Sequence, residues 1–332
     1  MRWVLKGNRR LLAFAIAGGL ALAALAFGCL TYRSDLAREV ERVSHGSQLA
    51  DTRCGPIEFV AAGSGPAVLL VHGAGGGFDQ LQELTDHLAA AGFRAVAMSR
   101  FGYLRTPLPA DASPAAQADA HACLLDTLGI DRATILGVSA GAPSTMQFAL
   151  RYPQRTEAMV LLVPLAYAPR AAAAGPSPAA RLIIEQATKS DLLYWAALKG
   201  APSLIMRTIL GTPPGLLATA SAAEQARVRK LMLQILPLTK RQPGLVNEAA
   251  IAASLPRYDL ERISAPTLVV SVADDLYGTF ESARYTAAHI RSARFVGYPS
   301  GGHLWIGHND ELLAELSALL GTRNVPLAEL GQ

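Results

Sequence analysis

Five residues near the middle of the chain, Gly137-Val138-Ser139-Ala140-Gly141, hold a serine between two glycines. The strand-like triplet Thr134-Ile135-Leu136 precedes them, and the helix-forming stretch from Pro143 to Tyr152 follows. A serine hydroxyl is a poor nucleophile until a base reaches it, and a tight strand-to-helix turn lifts it clear of the backbone into that reach. The flanking glycines let strand and helix approach closely. The helix that starts after Ser139 also directs its free N–H groups and dipole at the same point, where negative charge would develop. A glycine-rich loop, His72-Gly73-Ala74-Gly75-Gly76-Gly77, can supply further amides. The oxyanion donors are assigned to the N–H groups of Ala74 and Ala140, with Gly75 as the rival to Ala74. No Gly-Lys-Ser/Thr follows the loop, which argues against phosphate binding. His72 is expected to hold the loop and take no part in chemistry.

The base is expected from Gly301-Gly302-His303, and the acid that fixes its tautomer from Val272-Ala273-Asp274-Asp275. Only one of the two carboxylates can face the imidazole. Asp275 is assigned to it, and Asp274 is the alternative acid, otherwise a solvated or loop-capping neighbour. The remaining histidines have plainer expectations: His308 caps the last helix or lies on the surface, and His45, His87, His121 and His289 fall in helices or the N-terminal stalk.

These residues need a scaffold, and the hydropathy pattern supplies one. Apolar runs of strand length at 67–71, 94–98, 133–136 and 158–163 alternate with helical patterns at 79–91, 113–128 and 140–152. Continuous apolar strands between helices predict an α/β protein with a mostly parallel, doubly wound sheet. Before them, DTRC and IEFVAA around Gly55-Pro56 predict two short strands joined at that turn. From 164 to 257 no strand is legible. Amphipathic stretches such as 181–198 and 222–236, separated by Pro/Gly clusters, predict a helical cap inserted into the sheet; its Leu192, Leu193, Tyr194, Trp195, Leu231 and Met232 are either pocket wall or packed core. Strands resume at 265–270 and 294–296, and a helix at 310–320 closes the fold. The expected division is 51–163 with 258–321 as core, 164–257 as cap, 34–50 as a short helical or irregular linker, and 322–332 as a tail. The one low-complexity tract is Ala171 to Ala174.

The first 33 residues are of another kind. A basic start, MRWVLKGNRR, precedes an uncharged apolar run through Leu30 that is long enough to cross a bilayer as a helix. It is read as a membrane anchor with the domain outside the cytoplasm. A cleaved signal, with Ala24-Leu25-Ala26 as the small-residue site, and a lipidated Cys29 are the alternatives. The formal charge of +4, from 30 Lys+Arg against 26 Asp+Glu, is matched by Arg2, Lys6, Arg9 and Arg10 alone, so the rest offers no nucleic-acid footprint. Cys29, Cys54 and Cys123 are too few and too scattered for a zinc site or a disulfide framework. Cys54 and Cys123 are expected as packed free thiols, with pairing in an oxidising compartment the alternative.

Taken together, the order Ser139, Asp275, His303, the HGAGGG loop, the GVSAG turn and the helical insertion resemble the α/β-hydrolase superfamily over residues 51 to 321. The resemblance implies a serine hydrolase with a Ser139-His303-Asp275 triad under a helical lid, no metal or organic cofactor, and a small, apolar acyl substrate. The other place that such folds carry the acid, after strand 158–163, holds only Pro164-Leu165-Ala166-Tyr167-Ala168-Pro169. Ser99 to Thr106 looks like the family's Asp-x-x-Gly-x-Gly-x-Ser loop, but departs from it by carrying Ser99 and Thr106 in place of family residues, and Val272 stands where a glycine is frequent. A non-catalytic binding protein, or a lyase or haloperoxidase-like activity of the same triad, are the competing functions, since fold does not fix reaction.

Overall fold

The computed structural model describes residues 2–169 and 189–321, with side chains from residue 14 onward. The alanine tract, the first part of the 181–198 helical expectation and the tail lie outside the described residues. An eight-stranded sheet runs β1-β2-β4-β3-β5-β6-β7-β8. Its strands are β1 (Gln48–Thr52), β2 (Gly55–Ala62), β3 (Ala67–Val71), β4 (Arg94–Met98), β5 (Ala133–Val138), β6 (Thr156–Leu162), β7 (Thr267–Val272) and β8 (Ala293–Tyr298). The first two pairings are antiparallel and all later ones parallel. The expected turn at Gly55-Pro56 is corrected: Thr52 pairs with Gly55, so the reversal is centred on Arg53 and Cys54.

Period-two alternation explains how the sheet is covered on both faces. Leu69 and Val71 of β3 point to one side, with Phe148 of α4 (Ala142–Arg151) and Leu124 of α3 (Pro114–Thr127). Val68 and Leu70 point to the other, with Leu88 of α2 (Gln82–Ala90). At about 1.5–3 kcal/mol for each fully buried Leu or Val, these two layers are the fold's main source of stability. The central strands are therefore buried on both faces, which is why they read as unbroken apolar runs.

Between β6 and β7 the described cap consists of α5 (Asp191–Gly200), α6 (Pro202–Thr208), α7 (Gly215–Thr219), α8 (Ala222–Gln234) and α9 (Gln242–Ala253). It has its own core, built on Tyr194, Ile205, Met206, Val228, Met232 and Leu236. Helices α10 (Thr279–His289) and α11 (Asn309–Leu320) complete the sheet's flanks.

Two expectations meet the structure here. The linker 34–50, expected as short helical or irregular, is helical to Ser44 as the unbroken continuation of α1 (Arg2–Ser44), and β1 begins at Gln48. Its last turns dock on the cap, where Asp35 accepts from Trp195 Nε1 at 2.8 Å and pairs with Lys199 Nζ at 2.9 Å, while the Tyr32 and Trp195 rings meet edge to face at 5.5 Å. The segment reads as polar because one face meets solvent while the other meets polar partners. Cys54 and Cys123, expected as free thiols, form a disulfide that ties the β1–β2 turn to α3. Their separation of 69 residues hid a Cα distance of 6.0 Å that only the folded chain reveals.

Candidate active site

The C-terminal ends of β3, β5, β7 and β8 lie along one edge of the sheet, with β6 between β5 and β7, and each of the four carries one part of the site. Ser139 follows β5 immediately, in a 3-10 turn that runs into α4, with φ at +50°. A non-glycine residue in this left-handed region is held there by its surroundings. The neighbours allow it because a Cβ on Gly141 would lie 2.6 Å from the Val71 carbonyl oxygen, and one on Gly137 would lie 2.2 Å from Thr145 Oγ1. Only glycine lets β5, α4 and the end of β3 come this close.

His303 sits in the turn after β8 and is almost wholly buried. Its Nε2 is 2.9 Å from Ser139 Oγ, and its Nδ1 is 2.8 Å from Asp275 Oδ2. The structure thus brings together the three residues named from sequence, in the order hydroxyl, imidazole, carboxylate. With Nδ1–H donating to the carboxylate, Nε2 is free to accept the serine proton. Asp274 turns the other way: its Oδ1 accepts from the Gly302 N–H at 2.7 Å and so fixes the histidine turn. The two neighbouring carboxylates have divided the tasks of holding the imidazole and holding its loop.

Asp275 is itself held by groups that sequence reasoning missed. Its Oδ1 accepts from the Tyr277 N–H at 2.9 Å, and its Oδ2 accepts from the Thr279 hydroxyl, which is also 2.9 Å from Ser271 Oγ. The Tyr277 ring meets His303 edge to face, with centroids 4.8 Å apart. Tyr277 and Thr279 stand two and four residues after the acid, so the local turn was the available signal.

The HGAGGG loop is clamped residue by residue. His72 Nδ1 donates to the Gly73 carbonyl at 2.7 Å, and Nε2 accepts from the Arg100 N–H at 2.9 Å. This pairing requires a neutral ring, and burial holds the His72 pKa well below its ordinary value. The same Gly73 carbonyl accepts from the Gly76 N–H, while Gln80 Oε1 takes the Gly73 N–H at 2.8 Å. A trans peptide sets C=O and N–H on opposite sides, so a Gly73 carbonyl fixed inward to the loop turns the Ala74 N–H outward. Gly75 has a different neighbour. Burial raises the Tyr103 phenol to about 12, against the opposing pull of Arg100 and then of the Gly75 amide, yet the hydroxyl makes no hydrogen bond of normal geometry among the described residues. On the far side of the turn, Arg100 Nη1 donates to the Ala140 carbonyl at 3.1 Å.

A cavity of about 560 Å³ opens over Ser139, His303, Ala74 and Ala140, and its walls are mainly apolar. Of the cap residues singled out from sequence, Tyr194 and Leu231 line it. Leu192 and Leu193 face solvent, Trp195 is engaged with α1, and Met232 is packed in the cap core. The other histidines lie apart from the triad: His121 is buried between Met98 Sδ and Ser144 Oγ, and His308 stands at the N-cap of α11, bonded to Glu311 and to the Ser300 carbonyl. Among the described residues no cluster of three or more His, Cys, Asp or Glu could hold a metal ion.

Comparison with known proteins gives the family. The family model described as the alpha/beta hydrolase fold matches residues 66–307, and the chain belongs to that family. An α/β-hydrolase fold protein from Nakamurella multipartita superposes with a TM-score of 0.66 at 27% identity, covering 82% of this chain and 98% of that one. Among curated sequences, an uncharacterised protein of Mycobacterium tuberculosis is 39% identical over 105 residues, 31% of this chain and 30% of its own length. A 2-hydroxy-6-oxo-6-phenylhexa-2,4-dienoate hydrolase of Burkholderia cepacia is 32% identical over 113 residues, 32% of this chain and 40% of its own. The chain thus matches well under half the length of these curated relatives.

Proposed function

We propose that the chain is a serine hydrolase of carboxylic esters with an apolar acyl group. Ser139 Oγ attacks the acyl carbon while His303 Nε2 takes its proton. Asp275 stabilises the imidazolium that results, and the N–H groups of Ala74 and Ala140 receive the charge on the carbonyl oxygen. His303 then returns the proton to the leaving alcohol, and a water activated by the same imidazole releases the acid and frees Ser139. The observation that carries this reading is the unbroken path from Ser139 Oγ through His303 to Asp275, with contacts of 2.9 and 2.8 Å.

A second reading follows from the Burkholderia relative, whose name specifies a dienoate substrate. A dienoate carries a carboxylate and calls for a cation in the pocket. Among the described lining residues the lysine or arginine is Arg227, which is already bound to Glu224 and to the Leu304 carbonyl. A neutral ester suits this cavity better.

The N-terminal helix has a place in the same reading. By length and composition it can cross a membrane, with mean hydropathy 2.0 over a segment of which none is buried. It anchors the domain outside the cytoplasm, where the Cys54–Cys123 disulfide is stable. The enzymatic claim is tested with a short-chain aryl ester. Ser139→Ala is expected to lower kcat by a factor on the order of 10⁵ or more, and a variant that still turns over at the wild-type rate would refute the assignment.

A further inference from the structure

Helix α1 reaches the candidate active site as well as the cap. Arg42, in its last turn, pairs with the buried carboxylate of Asp79, which lies just beyond the HGAGGG loop. The same guanidinium donates to the Gln234 and Leu236 carbonyls at 3.1 and 3.3 Å, where α8 ends. On the other side of Asp79 stands Arg241, wholly buried, whose Nη1 and Nη2 are 3.1 and 2.9 Å from the two carboxylate oxygens. Arg241 also donates to the Gln234 carbonyl at 2.9 Å and to the Gly76 carbonyl, inside the loop. Burial pushes the Asp79 pKa up, but Arg241 and Arg42 together bring it down to about 2, so it is ionised in any working buffer.

Arg42 also pairs with Glu39 at 2.6 Å, so the two guanidiniums and two carboxylates balance, and the network holds the loop through its hydrogen bonds. The loop has little room to shift: a Cβ on Gly77 would lie 2.8 Å from Asp79 Oδ1 and 2.9 Å from Arg241 Nη1. We propose that Arg42 is a positioning residue for the oxyanion loop, acting through Asp79 and Arg241, and that the helix carrying the apolar segment is thereby a working part of the active site. The proposal rests on the assignment of the Ala74 N–H as an oxyanion donor. Removing Arg42 takes away one anchor of Asp79 and the bond to the Leu236 carbonyl, and loosens the frame that holds the Gly76 carbonyl. An oxyanion donor acts mainly in the transition state, so the loss belongs in kcat and not in KM.

The test uses the full chain in detergent, with aryl esters of two acyl lengths. Arg42→Ala is expected to lower kcat about tenfold, part of the 10²–10³ carried by a whole oxyanion donor. KM should stay within about threefold, and the loss should be equal for both esters, since the oxyanion is common to them. Arg42→Lys, which keeps the charge but not the fork, should fall between the two. Asp35→Asn weakens the contact of α1 with Trp195 and Lys199, remote from the loop, and should leave kcat unchanged. A folded Arg42→Ala protein with wild-type kcat, a change confined to KM, or an equal loss in Asp35→Asn would each overturn the proposal. If Arg42→Ala does not fold, wild-type kcat in Arg42→Lys overturns it. Ser139→Ala run in parallel separates the two claims: if its turnover equals that of the wild type the hydrolase reading fails, whereas wild-type kcat in the Arg42 variants alone sinks only this inference.

Discussion

A carboxylate that orients an imidazole must itself be oriented, and Asp275 is fixed by the Tyr277 amide and the Thr279 hydroxyl while its side chain is fully buried. Asp274 is spent on the Gly302 amide. The two therefore differ in what their loss should do. Asp275→Asn leaves His303 without its anionic partner and favours the wrong tautomer, with kcat falling by about 10³-fold or more. Asp274→Ala loosens only the turn, with a loss within about tenfold by the loss of one hydrogen bond of about 1 kcal/mol. Steady-state kinetics on the two variants decides it, and a larger loss in Asp274→Ala would reverse the roles. At this scale Ser139 and His303 were legible because glycines mark their turns. The acid was legible only to within one residue, since a side chain's direction after a strand depends on where the turn begins. Gln80, Arg241 and Arg42 left no signal, because each acts on the loop across a tertiary contact.

Among the elements, the central strands were legible to within about two residues because burial on both faces makes them continuously apolar. The start of α2 was not. An expectation from Asp79 onward meets a helix that begins at Gln82, because Asp79 is drawn into the arginine network. The N-terminal helix crosses the division that patterning drew. An apolar segment followed by a polar one suggested an anchor and a linker, and one helix of 43 residues carries the first and runs into the second as far as Ser44. A reporter joined after Gln332 is expected to be active only when the fusion requires export, as a periplasmic-type phosphatase does. An active cytoplasmic reporter at that position would contradict the proposed orientation.

Across the whole molecule, one sheet with two covered faces and a capped edge places every candidate group at the same end of the strands. That compactness has a cost in acid. Burial lowers the pKa of His72 and takes His121 down to about 3, both below the value of about 6.5 that an unfolded chain shows. Above that pH both states are neutral and nothing changes. As pH falls through 6.5 the unfolded chain binds protons that the folded one refuses, so stability drops by up to about 1.4 kcal/mol per pH unit for each histidine. Denaturant midpoints should fall steadily from pH 7 to 5, less steeply in His121→Gln, and a flat profile would contradict the neutral, buried assignment. The central claim concerns Ser139, and covalent labelling reaches it most directly. A fluorophosphonate probe followed by peptide mass mapping should find the adduct on Ser139 in the wild type and none in Ser139→Ala. Label on another residue, or undiminished in the variant, would contradict the account.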